Sequence, residues 1–298
     1  MFDVALSLDC AGRVLRLDRP RVMGIVNVTP DSFFDGGQHD TVAAAIAHGL
    51  RLLEEGADLL DVGGESTRPG AEAVDEGLEL ARVIPVIAAL YTQTAVPISI
   101  DTSKPNVMRA AIAAGAGLVN DVLALRAEGA LQAVAESKAA VVLMHMLGEP
   151  RSMQQAPHYD DVVAEVHRFL TERIFACEMN GIEKRRLIID PGFGFGKSLD
   201  HNMALLAQLS RFAELGVPVL AGLSRKSCLG QITGQPVDQR GSASLAAALI
   251  AAQRGATIVR VHDVAPTVDA LKVWQAVAAV PVPKTKPAGP SIRWPDED

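Results

Sequence analysis

Short apolar runs alternate with helix-period segments along this chain from residue 22 to roughly residue 279. The apolar runs predict strands at 22–26, 59–62, 97–100, 118–120, 141–144, 187–189, 217–220 and 257–261. Helical periodicity follows them, as at 42–55, 106–114, 162–179 and 244–254. Eight strand–helix repeats predict a parallel sheet with helical crossovers, and eight is the number that closes into a (β/α)8 TIM barrel. An open doubly wound sheet is the alternative. Residues 4–8 and 14–17 alternate apolar with polar around Cys10-Ala11-Gly12-Arg13, which predicts a β-hairpin capping the bottom of the barrel. The expected organisation is one domain over 1–280, with the hairpin in 1–20, and a flexible proline-rich tail over 281–298.

The loops differ by end. Those after strands, at 28–40, 63–73, 147–158 and 191–198, are long and rich in Gly, Pro, Asp and Ser. Those after helices are short. Function in a barrel gathers at the strand C-termini, and the asymmetry points there too.

Composition narrows the class. Of 298 residues, 49% are hydrophobic and 21% charged, a globular balance, and 4% are aromatic, so aliphatic side chains must fill the core. The longest apolar run falls well short of the roughly 20 residues of a membrane span. No basic region precedes an apolar stretch at Met1-Phe2-Asp3, so no signal peptide is expected. Cys10, Cys177 and Cys228 are scattered and odd in number, as suits free thiols in a cytoplasmic protein. A net charge of −7 without a basic tract argues against nucleic acid.

Strand side chains alternate, so parity sorts the strand ends. Arg260 and His262 share a face opposite Val259 and Val261, and the valines suit the outer helices. By the same count Asp101, Asn120, Asp190, Asn27 and Asp61 face the barrel mouth. In the fifth strand parity leaves Met144 and His145 both open. Any one of these polar residues alone reads as a cap or a satisfied core group; so many together cost too much for architecture alone. Carboxylates and amides suit a planar heterocycle with adjacent N–H donors, and Arg68, Arg225, Lys226, Arg260 and His262 suit a phosphate or diphosphate. Asn27, Asp31 and Asp35 offer oxygen ligands for Mg²⁺ against such an anion. The run Pro191-Gly192-Phe193-Gly194-Phe195-Gly196-Lys197-Ser198 imitates a P-loop but has proline for its first glycine, and a barrel is the wrong sheet for one. The histidines show no zinc-ligand spacing.

Taken in order, the strand-end segments resemble the dihydropteroate synthases of the folate pathway. They are Met23-Gly24-Ile25-Val26-Asn27-Val28-Thr29-Pro30-Asp31-Ser32-Phe33, Asp61-Val62-Gly63-Gly64-Glu65-Ser66-Thr67-Arg68-Pro69-Gly70, Asp101-Thr102 and Asn120-Asp121-Val122. Then come Leu143-Met144-His145-Met146, Asp190 through Lys197, Ser224-Arg225-Lys226-Ser227 and Arg260-Val261-His262-Asp263.

The resemblance implies a cytoplasmic, homodimeric transferase and sulfonamide target that joins 6-hydroxymethyl-7,8-dihydropterin diphosphate to 4-aminobenzoate. It implies that Asp101, Asn120, Asp190 and Lys226 hold the pterin, with Met144, rather than His145, packed on its ring. It further implies Asn27 as the Mg²⁺ ligand and Arg260 and His262 at the diphosphate. Thr67, Arg68 and Pro69, with Phe195 and Ser227, would form the aminobenzoate pocket, and Asp35 would stabilise a pterin methylene cation. Catalysis would then rest on Asp35, Arg68, Lys226, Arg260 and His262. Two rivals share the pterin contacts: a corrinoid-linked methyltetrahydrofolate methyltransferase, against which the Ser224–Ser227 and Thr67–Pro69 segments argue, and a non-catalytic pterin-binding paralogue.

Overall fold

The computed structural model describes residues 7–29, 38–66, 74–148, 153 and 156–280. The expected tail over 281–298 therefore lies outside the described residues, as do Asp31, Asp35, Thr67, Arg68 and Pro69. A hairpin of β1 (Ser7–Cys10) and β2 (Arg13–Arg16) comes first. Eight parallel strands follow: β3 (Arg21–Asn27), β4 (Leu59–Gly63), β5 (Ile98–Asp101), β6 (Leu118–Asp121), β7 (Ala140–Met144), β8 (Leu187–Asp190), β9 (Leu220–Ala221) and β10 (Ile258–Val261). Helices α1 (Gln38–Glu54), α2 (Glu76–Gln93), α3 (Pro105–Ala113), α4 (Ala130–Ala135), α5 (Val162–Met179), α6 (Leu199–Ala207), α7 (Ser227–Thr233), α8 (Gly241–Gln253) and α9 (Val264–Ala278) fill the crossovers.

The sheet order β8-β7-β6-β5-β4-β3-β10-β9 leaves β8 and β9 as the two edges. A bridge between Ile189 and Val219 joins them, with the Ile189 N–H donating to the Pro218 carbonyl at 3.0 Å. The barrel closes there. Strand β9 is shorter than the 217–220 expected and begins later, because Pro218 has no N–H to give a ladder.

Period-two alternation produces two apolar regions. Val22, Val26, Leu60, Val62, Ile98, Ile100, Val141, Leu143, Val259 and Val261 point outward into the sheet–helix core. Met23, Leu59, Leu118, Val142, Ile188, Leu220 and Ile258 point inward and pack on Leu8, Cys10, Leu15 and Leu17 of the hairpin, which is the expected plug. The hairpin turns tightly at Ala11 and Gly12, with φ of 52° and 95°, the positive values a two-residue turn demands. It approaches so closely that a Cβ on Gly117 would lie 2.2 Å from the Cys10 carbonyl oxygen. With the lower barrel filled by apolar side chains, polar strand-end residues have only the mouth to face.

This plug makes a stability prediction. Leu8→Ala should cost about 2–5 kcal/mol in urea denaturation, whereas Val14→Ala, on the hairpin's exposed side, should stay within about 0.5 kcal/mol. Equal small losses would mean that the hairpin is not part of the barrel core.

Candidate active site

One guanidinium organises the mouth. Arg260 Nε donates to Asp61 Oδ2 at 2.6 Å, and an Arg260 terminal N–H donates to Asp101 Oδ2 at 2.8 Å. Asn120 Nδ2 donates to the same Asp61 oxygen at 3.0 Å. Residues from β4, β5, β6 and β10 are thereby locked together. Asp61 is fully buried, and among the described residues its hydrogen bonds are to Arg260 and Asn120. Its Oδ1, and Oγ of its register neighbour Ser99, have no partner among the described residues.

Burial lifts the Asp101 carboxyl to about 7, against the pull of Arg260 and with a push from Asp61. Burial works against the charge on Arg260, but Asp61 and Asp101 more than offset it and raise its pKa.

Asp190 ends β8, and its Oδ1 accepts from the Gly192 N–H at 2.7 Å. Burial raises its pKa; that hydrogen bond, Lys226, Lys197 and Arg260 oppose the rise. Gly222 lies between Asp190 and Arg260: a Cβ there would stand 3.9 Å, ordinary contact, from both Asp190 Oδ2 and Arg260 Cβ. Lys226 lies with Nζ 3.9 Å from the centre of the Phe195 ring, and burial, aided by Arg260, draws its amine down to about 8. Met144, Phe195, Val122, Met146 and Met153 form a separate apolar cluster. The mouth thus offers an apolar face beside a charged one, which suits a flat, polar-edged ring.

Parity in β7 is settled by the inward Val142 and outward Leu143: Met144 faces in and His145 faces out. His145 instead packs edge-on against Phe169 of α5, ring centres 4.9 Å apart. His262 follows β10, and its Nδ1 lies 2.9 Å from Ser224 Oγ. Arg225, read as an anion ligand, turns away to pair with Asp263 at 2.6 Å. Asp121 also faces away, capping its turn by accepting from the N–H groups of Leu123 and Leu125. Asn27 sits half-buried at the end of β3, and Ser227 is exposed at the start of α7. The structure thus joins Asp61, Asp101, Asn120 and Arg260 directly, and gathers Asp190, Lys226, Phe195 and Met144 around them. Among the described residues no hydrogen bond or ion pair joins Asn27 or Ser227 to that hub.

Sequence reasoning missed two groups. Lys104 Nζ bridges Glu65 and the wholly buried Glu79, at 2.5 Å each, just beyond Asp101. The signal was present, because Glu79 shares a helix face with Val83, Val86 and Leu90 at spacings four, seven and eleven. Lys197 is the other: its amine is buried among the carbonyls of His145, Gly192 and Phe195 and His145 Nδ1. A lysine surrounded by its own loop's carbonyls cannot serve a nucleotide phosphate. Among the described residues no group of three or more His, Cys, Asp or Glu is placed to hold a metal, and no helix is long and apolar enough to cross a membrane. All three cysteines are buried and unpaired.

Known proteins carry the same plan. A model of the family described as pterin binding enzyme matches residues 23–262. The dihydropteroate synthase of Escherichia coli strain K12 is 51% identical over 271 residues, covering 91% of this chain and 96% of the relative. Among solved structures, Xanthomonas albilineans dihydropteroate synthase with 4-aminobenzoic acid superposes with a TM-score of 0.89 at 70% identity, covering 93% of this chain and 99% of that one. The same organism's enzyme in complex with 7,8-dihydropteroate superposes at 0.84 with 64% identity, covering 93% and 100%.

The contact between His145 and Lys197 has a direct spectroscopic consequence. Burial, and then the Lys197 charge, push the His145 imidazole down to about 2. It should keep the nitrogen resonances of a neutral ring from about pH 8 to about pH 5, where an ordinary histidine gains its proton. An imidazolium pattern at the acidic end would overturn that contact.

Proposed function

Because the chain belongs to the pterin-binding enzyme family, we infer that it is the enzyme that condenses 6-hydroxymethyl-7,8-dihydropterin diphosphate with 4-aminobenzoate, releasing diphosphate and forming 7,8-dihydropteroate. The observation that carries the reading is the buried Asp61–Arg260–Asp101 hub beside the Met144 and Phe195 face. A pterin has adjacent ring N–H and amino donors on one edge, and a carboxylate accepts two such bonds side by side. Asp190 fits that edge: Gly192 engages one of its oxygens and leaves the other open. Asp101, Asn120 and Lys226 complete the polar rim, and Met144 packs on the ring.

In the reaction the bond from the pterin methylene carbon to the diphosphate oxygen breaks, and its electron pair leaves with the diphosphate. The amine nitrogen of aminobenzoate then bonds to that carbon and loses a proton. The negative charge gathering on the leaving group needs fixed positive donors. Arg260 spends only two of its five N–H donors on Asp61 and Asp101, so three remain for phosphate oxygens, with His262 beside it. Asp35 stabilises the methylene cation, and Thr67, Arg68 and Pro69, with Phe195 and Ser227, take the aminobenzoate. The chain also offers Mg²⁺ a suitable donor. Asn27 carries a hard carboxamide oxygen at the end of β3, and Mg²⁺ typically takes few protein ligands, filling its shell with water and substrate phosphate. When bound there it would supply further neutralisation of the diphosphate.

A homodimer in the cytoplasm belongs to the same reading, since a charged diphosphate does not cross a bilayer unaided; sedimentation as a monomer at micromolar concentration would remove the dimer.

The test is reconstitution. The purified protein should release diphosphate only with both substrates and Mg²⁺ present, and failure to form dihydropteroate from that mixture would end the proposal. Two variants divide the site. Asp190→Asn should weaken the bare pterin by about tenfold or more while leaving the KM for aminobenzoate nearly unchanged. Arg260→Lys, which keeps a charge beside Asp61, should lower turnover by about a hundredfold and spare bare-pterin affinity. Equal loss of both ligands in either variant would refute its assigned role.

A further inference from the structure

The loop after β8 carries a lysine that the reaction does not consume. Gly192, Gly194 and Gly196 all adopt positive φ, at 72°, 78° and 62°, so the chain coils with Phe193 and Phe195 between them and Lys197 directly after. Phe193 enters the sheet–helix core, Phe195 reaches the apolar face of the mouth, and Lys197 turns under the loop. Gly192 lies so near β7 that a Cβ would stand 1.8 Å from the His145 carbonyl oxygen.

The buried Lys197 amine sits 2.9 Å from the Gly192 carbonyl, 3.0 Å from that of Phe195 and 3.3 Å from that of His145, with His145 Nδ1 at 2.9 Å. In its charged form the amine has three N–H donors for these four acceptors, and burial draws it down to about 7. Other groups also brace this loop. Asn202 of α6 accepts from the Gly194 N–H at 2.7 Å, and the Tyr159 hydroxyl donates to the Gly196 carbonyl at 2.9 Å. Lys197 fastens the loop's own carbonyls to the end of β7, the strand whose last residue is Met144. It also lines a cavity of about 320 Å³ together with Ser198, Asn202, Ser227 and Gln231.

We propose that Lys197 is a positioning residue for the aminobenzoate half of the site: by tying the 191–198 loop to β7, it sets where Phe195 stands relative to Met144 and Lys226. The inference rests on the reading that Phe195 lines the aminobenzoate pocket. Of the polar groups in the pterin half, Lys226 touches Phe195; Asp101, Asn120, Met144 and Asp190 lie on the strands themselves, so loosening the loop acts on one substrate more than the other.

Lys197→Met preserves length and apolar bulk while deleting the donors. Lys197→Gln retains two of them, so it keeps the comparison readable if the methionine variant folds poorly. Phe195→Ala is the reference. With saturating pterin diphosphate, Lys197→Met should raise the KM for 4-aminobenzoate by about tenfold, Lys197→Gln by less, and kcat and the calorimetric Kd for bare pterin should stay within about threefold. A KM unchanged in both lysine variants, while Phe195→Ala raises it, overturns the role of Lys197 alone. Pterin affinity falling as far as aminobenzoate capture would make the lysine a general structural group and also overturn it. If Phe195→Ala leaves the KM unchanged, the assignment of Phe195 fails, and the proposal with it.

Discussion

The barrel mouth depends on placing two buried carboxylates against one guanidinium. Asp61 and Asp101 lie just above an apolar plug, where an uncompensated charge would be costly, and Arg260 compensates both. Removing one partner of a buried pair typically costs about 3–5 kcal/mol, so the site and the fold share a member. The arrangement is not fully satisfied: one oxygen of Asp61 and the Ser99 hydroxyl remain without a partner among the described residues. A surplus of acceptor capacity beneath a donor-bearing ring is what a binding site tolerates and a pure core does not. Because Arg260, Asn120, Asp61 and Asp101 come from four strands, sheet closure and assembly of the mouth are one event.

Much of this was legible because strand side chains alternate strictly. Wherever one face is polar and the other aliphatic, as at Asp101 beside Ile100 or Arg260 beside Val259, parity alone sorts inside from outside. It fails in β7, where Ala140–Met144 is apolar at every position and reads the same on both faces. Only register with the neighbouring strands turns Met144 inward and leaves His145 to pack on α5. Glu79 differs again: its charge points to the surface, but its spacing to Val83 and Val86 sets it on the buried face of α2. Asp35, Thr67, Arg68 and Pro69 stand on the family resemblance and on no described contact.

The glycine-rich run after β8 shows how the same residues serve two different designs. In a P-loop, glycines let backbone amides converge on a phosphate and the lysine reach toward it. Here the positive φ values turn carbonyls inward instead, and the lysine collapses onto them. The difference follows from what surrounds the loop. Gly192 and Gly196 press against the backbone of His145 and Leu147, leaving no room for an anion beneath. Spacing alone could not reveal this, since it depends on how near the end of β7 comes.

Dividing the mouth into a pterin floor and a diphosphate wall meets a difficulty in the same guanidinium that holds it together. In the proposed division Asp101 falls to the floor and Arg260 to the wall, yet they stand 2.8 Å apart in an ion pair. An anion drawing on Arg260 lessens what that group gives to Asp101, whose carboxyl burial already holds near 7. Donors from a ring seated on the floor would restore what the anion takes. The two subsites are therefore electrically continuous, and a single substrate bearing both a donor-edged ring and a diphosphate satisfies them better than two separate molecules. Asp61, deeper and fully enclosed, keeps Arg260 in place while that exchange occurs.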